Sequence, residues 1–255
     1  MNPFTRRLAV VLFAMLTAAS PISADQDPAA AAMKARLDAL QSAGVLEIGG
    51  ARITARDILS AVYAKRGFRP MWTDSGRVQE LLALIAAAPA DGLDSADYFL
   101  TEVQAQMARA SGAVPDQADL DILLTESLLR FGYHQLFGKV NPAALDADIN
   151  FSRKFLGDRE PEVAIPEIIA SPVPLRQQLD DSVHRSPVYR TLQRHLADYR
   201  RINDAGGWPR VAAGETLRKG DNDPRVVTLR ERLIVTGDLP AGSDTRSPIF
   251  DEALE

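Results

Sequence analysis

The chain has 255 residues, of which 46% are hydrophobic and 25% are charged, so it can bury a packed core and extensive disorder is excluded. Its formal net charge is −5, and the first 24 residues contribute two arginines and no acidic side chains to that balance. A surface of this sign does not attract a polyanion as a whole, which argues against nucleic acid as a partner. Aromatic residues make up only 6% and alanine-rich runs recur, which favours helices over strands.

Cysteine is absent from the sequence. This excludes a disulfide framework, a thiol nucleophile and a thiolate metal site within the chain as given. The stability of the fold must therefore come from burial of apolar surface.

The first 24 residues have the pattern of a secretory signal peptide. Two arginines precede an apolar run over residues 8–19, and small residues precede a cleavage site expected after Ala24. A retained membrane anchor is the alternative reading. A bilayer requires about 20 continuous apolar residues, however, and this run is broken at Ser20-Pro21. We therefore expect export by the general route, cleavage, and no retained transmembrane helix.

The next region predicts helices joined by one tight hairpin. A helix begins at Asp27 and ends at Gly44, a residue suited to a helix C-terminus. Gly49-Gly50 separates two short apolar runs, which is typical of a hairpin. Thr54 is expected to cap the following helix, and a loop that contains Pro70 comes next.

Three further helices are predicted before residue 139. The first covers residues 77–88 and is closed by Pro89, and the second covers residues 91–110 with Asp94 or Ser95 as its cap. The third, over residues 116–138, is the longest, and we expect it to form the centre of the core. Its apolar stripe at helical spacing comprises Leu120, Leu123, Leu124, Ser127, Leu128, Phe131 and His134.

The rest of the chain is punctuated by proline and glycine. Residues 138–187 contain six prolines and are predicted to form loops and short helices. An amphipathic helix follows from residue 186, and a linker with a domain boundary near Ala212 comes after it. One face of that helix carries Val188, Leu192, Leu196 and Tyr199.

A short module begins at Leu217. Asp223-Pro224 predicts a helix start, and Gly237 predicts its end. The L-x-x-G-x(5)-V-x-x-L-x-x-x-L spacing that follows resembles the peptidoglycan-binding module of three short helices. That family usually has glycine at the position of Asp223 and often glutamine at the position of Arg230.

Phe250 and Leu254 match the start of a later helix of that module, and the next residues of the family pattern would lie beyond Glu255. We therefore expect residues 213–255 to be a truncated module. A remnant of about 40 residues is at the lower limit for independent folding. It is expected to be loosely packed or to depend on the preceding domain.

Four stretches carry a larger resemblance: Tyr63–Asp74, Asp91–Leu100, Phe137–Pro142 and Tyr199–Val211. In this order they resemble the N-terminal scaffold domain of the large L,D-transpeptidases of Gram-negative bacteria. The resemblance implies a mainly α fold with three parts. These are a signal peptide (1–24), a helical scaffold domain with a small β-hairpin (25–212), and an incomplete three-helix peptidoglycan-binding module (213–255).

The family forms 3→3 cross-links between peptidoglycan stem peptides, using a cysteine in a Ser-His-Gly-Cys context of a C-terminal domain. No such stretch exists in this sequence, so no catalytic residue is carried over, and the substrate-binding residues stay unknown. The resemblance implies a periplasmic, non-catalytic portion that supports the missing catalytic domain and helps engage peptidoglycan. No cofactor is expected.

Two other functions remain open. One is a stand-alone secreted peptidoglycan-binding protein without enzyme activity. The other is a secreted hydrolase that uses carboxylates of the helical domain, although no motif marks a glycosidase pair.

The three histidines do not form a recognisable metal motif. His134 lies on the apolar stripe and is interpreted as a packed core residue. His184 and His195 are eleven residues apart with a proline between them, and no H-E-x-x-H pattern occurs. We therefore expect no metal site.

The remaining candidate residues each have two interpretations. Glu126 either acts as a general acid or base, if it is buried, or, the favoured interpretation, is part of a solvated flank. Asp223 is the third residue of a stretch, Asp221–Arg225, that is similar to the start of an acidic calcium loop, but the turn glycine and distal glutamate are missing, so helix capping is favoured. Phe68, Trp72 and Trp208 either stack on sugar rings or, the favoured interpretation, anchor loops to the helical body.

Overall fold

The computed structural model describes residues 27–110, 113–140, 160–183 and 186–255. The predicted signal peptide, His184 and the stretch from residue 141 to residue 159 lie outside these ranges. The described chain is mainly α-helical with one small antiparallel hairpin, as predicted. Within these ranges, no helix combines the length and the apolar character that crossing a membrane requires.

The helices and strands follow the predicted order. They are α1 (Pro28–Ala43), β1 (Leu46–Ile48), β2 (Ala51–Ile53), α2 (Arg56–Lys65), α3 (Ser75–Ala86), α4 (Leu100–Arg109), α5 (Val114–Phe137), α6 (Pro161–Ala170), α7 (Leu175–Ser182), α8 (Pro187–Asp204) and α9 (Arg225–Thr236). Short 3-10 turns cover Ala88–Asp91, Ser95–Tyr98 and Glu252–Leu254.

The described residues group into two compact units that alternate along the chain. Of the described residues, unit 1 contains 27–78, 101–110, 113–130 and 160–172. Unit 2 contains 79–100, 131–140, 173–183 and 186–255. Helices α3, α4 and α5 therefore contribute residues to both units.

Unit 1 is built on α1, the hairpin, α2, α6 and the first part of α5. The Asp27 carboxylate accepts the amide of Ala29 at 3.0 Å and caps α1, and Gly44 ends the helix in the left-handed conformation, as predicted. Helix α2 packs against both α1 and α6. The buried face of α1 follows helical spacing and comprises Ala30, Met33, Leu37 and Leu40.

The predicted hairpin is confirmed. Leu46 pairs with Ile53 and Ile48 with Ala51, and all four side chains are buried. The side chains between them point outward, as expected for strands with one face on a core. The turn residues are Gly49-Gly50, both with positive φ, a conformation that glycine adopts without a steric penalty.

Unit 2 has a core around Tyr98 and Phe131, whose rings meet edge to face at 5.1 Å. Within residues 213–255, Val226 is fully buried, and a backbone bridge joins Asn222 to Ile249. The other buried apolar residues of this unit are Leu81, Leu82, Leu84, Ile85, Ala88, Phe99, Leu175 and Leu239.

The predicted cap of α2 is wrong. The N-cap residue is Ala55, which has no capping side chain, while the Thr54 hydroxyl donates to Glu126 at 3.4 Å. The Glu126 carboxylate accepts the Ala55 amide at 3.2 Å. The Glu126 carboxylate of α5 thus takes the place of the Thr54 hydroxyl that was predicted to cap α2. A carboxylate suits this place because the start of a helix is the positive end of its dipole.

The predicted single helix over residues 91–110 is also wrong. Phe99 has φ 60°, a left-handed conformation that interrupts the helix, and α4 begins only at Leu100. Asp94 nevertheless acts as a cap, because its carboxylate accepts the Ala96 amide at 3.0 Å at the start of a 3-10 turn. The Ser95 hydroxyl instead donates to the carbonyl of Ile85 at 2.8 Å.

Candidate functional site

A buried carboxylate explains the first of the four family-like stretches. Asp121, on α5, is 4% exposed and accepts the Tyr63 hydroxyl at 2.6 Å. It also accepts the backbone amides of Met71 and Trp72, at 3.0 and 2.9 Å. The Trp72 indole nitrogen donates to the Thr125 hydroxyl at 3.0 Å. This Asp121 cluster therefore fastens the loop after α2 to α5.

The electrostatics of the Asp121 cluster fit a structural role. Burial raises the pKa of Asp121 above its ordinary value, although the hydrogen bonds from Tyr63 and from the two amides oppose that shift. Burial, and then the charge of Asp121, raise the pKa of Tyr63 well above its ordinary value. Because protein donors occupy the carboxylate, this acid holds the fold together rather than facing a substrate.

Glu126 is buried, so its interpretation as part of a solvated flank is wrong. It is 2% exposed, and Arg130 donates to its carboxylate at 2.8 Å. Its other contacts are to the start of α2, at Thr54 and Ala55. The burial has a physical reason: on α5 this side chain faces the Ala55 amide at the start of α2 and the Arg130 guanidinium, which supply hydrogen-bond donors to it. Its contacts indicate capping rather than acid or base chemistry.

The three aromatic residues lie in different surroundings. Trp72 is 9% exposed and hydrogen-bonded within the Asp121 cluster, which confirms it as an anchor. Phe68 is half-buried, with the Lys34 ammonium 5.8 Å from its ring centre. Trp208 is half-buried and packs against Tyr199 with 5.7 Å between ring centres.

The two described histidines, His134 and His195, are not brought together with carboxylates in a metal site. No group of three or more candidate metal ligands occurs in the described ranges. His134 is half-buried, and its Nδ1 lies 3.1 Å from the Tyr98 hydroxyl, so it is a packed residue as predicted. His195 is exposed on α8.

Asp223 acts at the start of a helix, as predicted. Helix α9 begins one residue later than the sequence indicated, at Arg225, and the Asp223 carboxylate accepts the Arg225 amide at 2.8 Å. The Arg225 guanidinium also donates to this carboxylate, at 2.9 Å from Nη2, and these bonds lower the pKa of Asp223.

Arg230 holds the last residues of the chain against α9. It is 3% exposed, and its Nη2 donates to the Ile249 carbonyl at 2.9 Å and to the Asp251 carboxylate at 2.5 Å. The hydrogen bond from Arg230 to Asp251, and then the charge of Arg230, lower the pKa of Asp251. A side chain that departs from the usual pattern of the peptidoglycan-binding module thus has a structural partner here.

A second carboxylate explains the stretch that begins at Asp91. This side chain accepts Gln135 Nε2 at 2.7 Å, the Tyr189 hydroxyl at 3.0 Å and Gln193 Nε2 at 2.5 Å. Gly92 has φ 76°, a conformation that favours glycine, and Leu196 lies beside it, in ordinary van der Waals contact at 3.7 Å with the position of an added Cβ atom. This Asp91 cluster fixes one side of α8 to the 3-10 turn Ala88–Asp91 and to the end of α5.

Helix α8 borders an open groove of about 870 Å³ in unit 2. Three of the described lining residues are arginines and none is acidic, although the chain as a whole carries a net charge of −5. Arg194 donates to the Thr191 hydroxyl at 2.9 Å, and Arg200 donates to the Pro89 carbonyl. The lining residues are Ala90, Pro187, Arg190, Thr191, Gln193, Arg194, Ala197 and Arg200.

The predicted apolar face of α8 is largely exposed. Val188, Leu192 and Tyr199 are 69%, 63% and 58% exposed, whereas Leu196 is half-buried beside Gly92. Helix α8 has no buried residue, although Leu196 lies beside Gly92 and Tyr199 packs against Trp208. The groove therefore combines a fixed helix with a positively charged surface, which makes it the best candidate binding site in the described residues.

Sequence reasoning missed this groove and both carboxylate clusters. The stretch around Arg190, Arg194 and Arg200 carries excess positive charge within an acidic chain, and that signal was available in the sequence. The roles of Asp121 and Asp91 depend on donors from distant segments, which no local pattern indicates.

Comparisons with known proteins agree with this architecture. The family described as Scaffold domain matches residues 57–196, a range that contains the Asp121 cluster, the Asp91 cluster and most of α8. A protein of Haemophilus influenzae, named as an L,D-transpeptidase, is 31% identical over 88 residues. The match covers 34% of this chain and 17% of that relative. No solved structure matches the chain. The chain therefore belongs to the scaffold-domain family, the N-terminal scaffold region of L,D-transpeptidases.

Proposed function

We propose that this chain is the non-catalytic N-terminal portion of a periplasmic murein L,D-transpeptidase. In this role it supports a cysteine-containing catalytic domain and helps engage peptidoglycan during 3→3 cross-linking. The observation that carries the proposal is the family match over residues 57–196, within which two motif-built carboxylate clusters fasten helices and loops together.

The side-chain chemistry of the chain supports a structural role rather than a catalytic one. It contains no cysteine, so it cannot itself form the thioester that a cysteine-dependent acyl transfer requires. Its two most buried acids, Asp121 and Glu126, accept hydrogen bonds from protein donors. The proposed division into residues 1–24, 25–212 and 213–255 places signal peptide, scaffold and peptidoglycan-binding-like module in sequence, with cleavage after Ala24.

The experiment is co-sedimentation of the purified full chain with peptidoglycan sacculi, followed by analysis of the muropeptides. The chain is expected to sediment with sacculi and to leave the muropeptide profile unchanged. Failure to sediment would contradict the role in engaging peptidoglycan. Release of muropeptides that is lost after a single Asp or Glu substitution would indicate a hydrolase instead.

The coding sequence after codon 255 separates the scaffold from a stand-alone binder. The proposal expects an open frame that continues into a Ser-His-Gly-Cys motif. A stop codon, with abundant stable protein that binds sacculi, would favour the stand-alone peptidoglycan-binding protein.

A further inference from the structure

The turn that follows α2 is basic and exposed. Residues 65–69, the basic turn, contain Lys65, Arg66 and Arg69, and all three are exposed. Residues 58–73 include no acidic residue, although the chain as a whole carries a net charge of −5. We propose that the basic turn docks unit 1 on a membrane surface that carries anionic phospholipid headgroups. This inference goes beyond the proposed function and does not depend on it.

The charges of the basic turn are not neutralised within the described part of the chain. Lys65 and Arg69 make no hydrogen bond or ion pair there. Arg66 makes none either, although it lies close enough to the buried Asp121 to interact with its charge. Such cations are available to an anionic bilayer, to which each lysine or arginine near the surface adds about fivefold in affinity.

An aromatic ring lies among these cations. Phe68 is half-buried, and the ammonium of Lys34, on α1, is 5.8 Å from its ring centre. The φ of Phe68 is 61°, a left-handed conformation that is rare for a bulky residue and costs free energy. Aromatic rings beside basic side chains are typical of the membrane interface, where the ring enters the headgroup layer and the cations meet phosphates. The basic turn therefore combines the two kinds of side chain that this interface favours.

The backbone around the basic turn is held by the fold. The amides of Gly67 and Phe68 donate to carbonyls of α2 at 3.0 and 2.8 Å. Just after the turn, the Met71 and Trp72 amides donate to Asp121. A membrane thus meets a backbone that is already ordered. The same amides are unavailable to an extended peptide that would pair along the chain, so a lipid surface is favoured over an acidic peptide.

The charge of the rest of the chain determines how the basic turn would act. A chain with a net charge of −5 is repelled as a whole by an anionic membrane, so the local cations orient it with the basic turn toward the lipid. The association is expected to be reversible and sensitive to salt, since exposed charges act over about 10 Å at 0.1 M ionic strength.

The experiment measures partitioning of the full chain onto sedimenting vesicles at about 0.1 M ionic strength. Mixed phosphatidylglycerol and phosphatidylcholine vesicles provide the anionic surface, and pure phosphatidylcholine vesicles the neutral one. The chain is expected to prefer the anionic vesicles by roughly tenfold or more, and high salt should remove this preference. Binding to neutral vesicles measures any contribution of the apolar residues 8–19, which every variant shares. Equal partitioning onto both kinds of vesicle would overturn the proposal.

The double variant Lys65→Gln/Arg69→Gln should lower the affinity for anionic vesicles by roughly tenfold, with an unchanged unfolding transition. The matched control Arg52→Gln/Arg56→Gln removes two exposed charges at the other end of α2, where Arg56 is about 14 Å from Lys65 along the helix axis. It should partition like the unmodified chain. Equal affinities of the two double variants would contradict docking through the basic turn.

The variant Phe68→Trp tests the position of the ring. Its fluorescence should be quenched by anionic vesicles with brominated acyl chains. The background from Trp72, which is 9% exposed, and from Trp208 is measured in the unmodified chain. A bound variant that shows no quenching above this background would place the membrane contact elsewhere and overturn the proposal.

Two competitors separate a membrane from other anions. Displacement from the vesicles by inorganic phosphate, at the concentration of the lipid phosphate, would indicate a general anion site. Displacement by a polyglutamate peptide of equal total charge, but not by phosphate, would indicate an acidic protein segment. Either result would overturn the assignment to a membrane. Sedimentation with sacculi tests the proposed function separately, because neither result depends on the other.

Discussion

Helices α5 and α8 use their polar residues in opposite ways. Helix α5 buries Asp121, Thr125, Glu126 and Ser127, and the carboxylates of its two buried acids accept hydrogen bonds from protein donors. Helix α8 buries no residue. Its four arginines are exposed, and so is most of its apolar face. Both sequences are amphipathic, so the comparison teaches that amphipathic spacing alone does not show which side of a helix packs. Buried, satisfied polar groups indicate a structural role, and exposed, positively charged ones indicate binding.

The largest effect is expected at Asp121. Asp121→Ala leaves the Tyr63 hydroxyl and the amides of Met71 and Trp72 without their acceptor in a buried place. The free energy of unfolding should fall by about 3 kcal/mol or more, since each unsatisfied buried group costs about 1–3 kcal/mol. Urea denaturation measures this change.

The matched control is Asp38→Ala, which removes an exposed ion pair with Lys34. Such a pair contributes about 0–1 kcal/mol, so the control should unfold close to the unmodified chain. Equal losses in the two variants would contradict the structural role of the Asp121 cluster.

A smaller effect is expected at Glu126. Glu126→Gln keeps one acceptor oxygen but removes the charge that faces Arg130 and the start of α2. The free energy of unfolding should fall by about 1.5–3 kcal/mol, the range for hydrogen bonds to charged groups. Circular dichroism during chemical denaturation measures it. An unchanged transition would show that the carboxylate charge does not stabilise α2.

The Asp91 cluster provides the corresponding test in unit 2. Asp91→Asn replaces one acceptor oxygen by a donor that faces the donors of Tyr189, Gln193 and Gln135. We expect a loss of about 1 kcal/mol and faster hydrogen exchange in α8. Asp204→Asn, an exposed residue at the end of the same helix, is the control and should leave exchange in α8 unchanged.

The smallest expected effect is a change in the pKa of one carboxyl group, that of Asp251. Arg230 holds the pKa of Asp251 below its ordinary value, so this pair stabilises the fold above that ordinary pKa. The stabilisation is lost as the pH falls through the lowered value. In Arg230→Gln the pKa of Asp251 should rise toward the ordinary value, as measured by carboxyl NMR titration.

Asp223 is the internal control for that titration, because its lowered pKa depends on Arg225 rather than Arg230. A variant in which Asp251 titrates as before would show that the bond from Arg230 to Asp251 does not form in solution.

The sequence predicted the local features of the fold well. Asp27 and Gly44 bound α1, Gly49-Gly50 forms the hairpin turn, and α5 is the longest helix, because each of these depends on neighbouring residues. The predictions that Thr54 caps α2 and that Glu126 is solvated are wrong for one reason. The Glu126 carboxylate, 71 residues away in the chain, accepts the Ala55 amide.

The candidate site was less accessible to sequence reasoning. The arginines of α8 are visible in the sequence, but the hydrogen bonds from Tyr189 and Gln193 to Asp91, which help to hold α8 beside the groove, are not. The apolar residues Val188 and Leu192 predicted a packed face that the structure leaves exposed. Spacing places residues on a face, and only long-range contacts decide whether that face is covered.

The most direct test of the account is hydrogen–deuterium exchange of the full chain with and without soluble peptidoglycan fragments. The account predicts slower exchange on binding in residues 187–204, which form α8, and unchanged exchange in residues 114–130 of α5. Slower exchange in residues 114–130 alone, or no change anywhere at saturating ligand, would contradict the proposal that this scaffold helps engage peptidoglycan and the choice of the groove beside α8 as the candidate binding site.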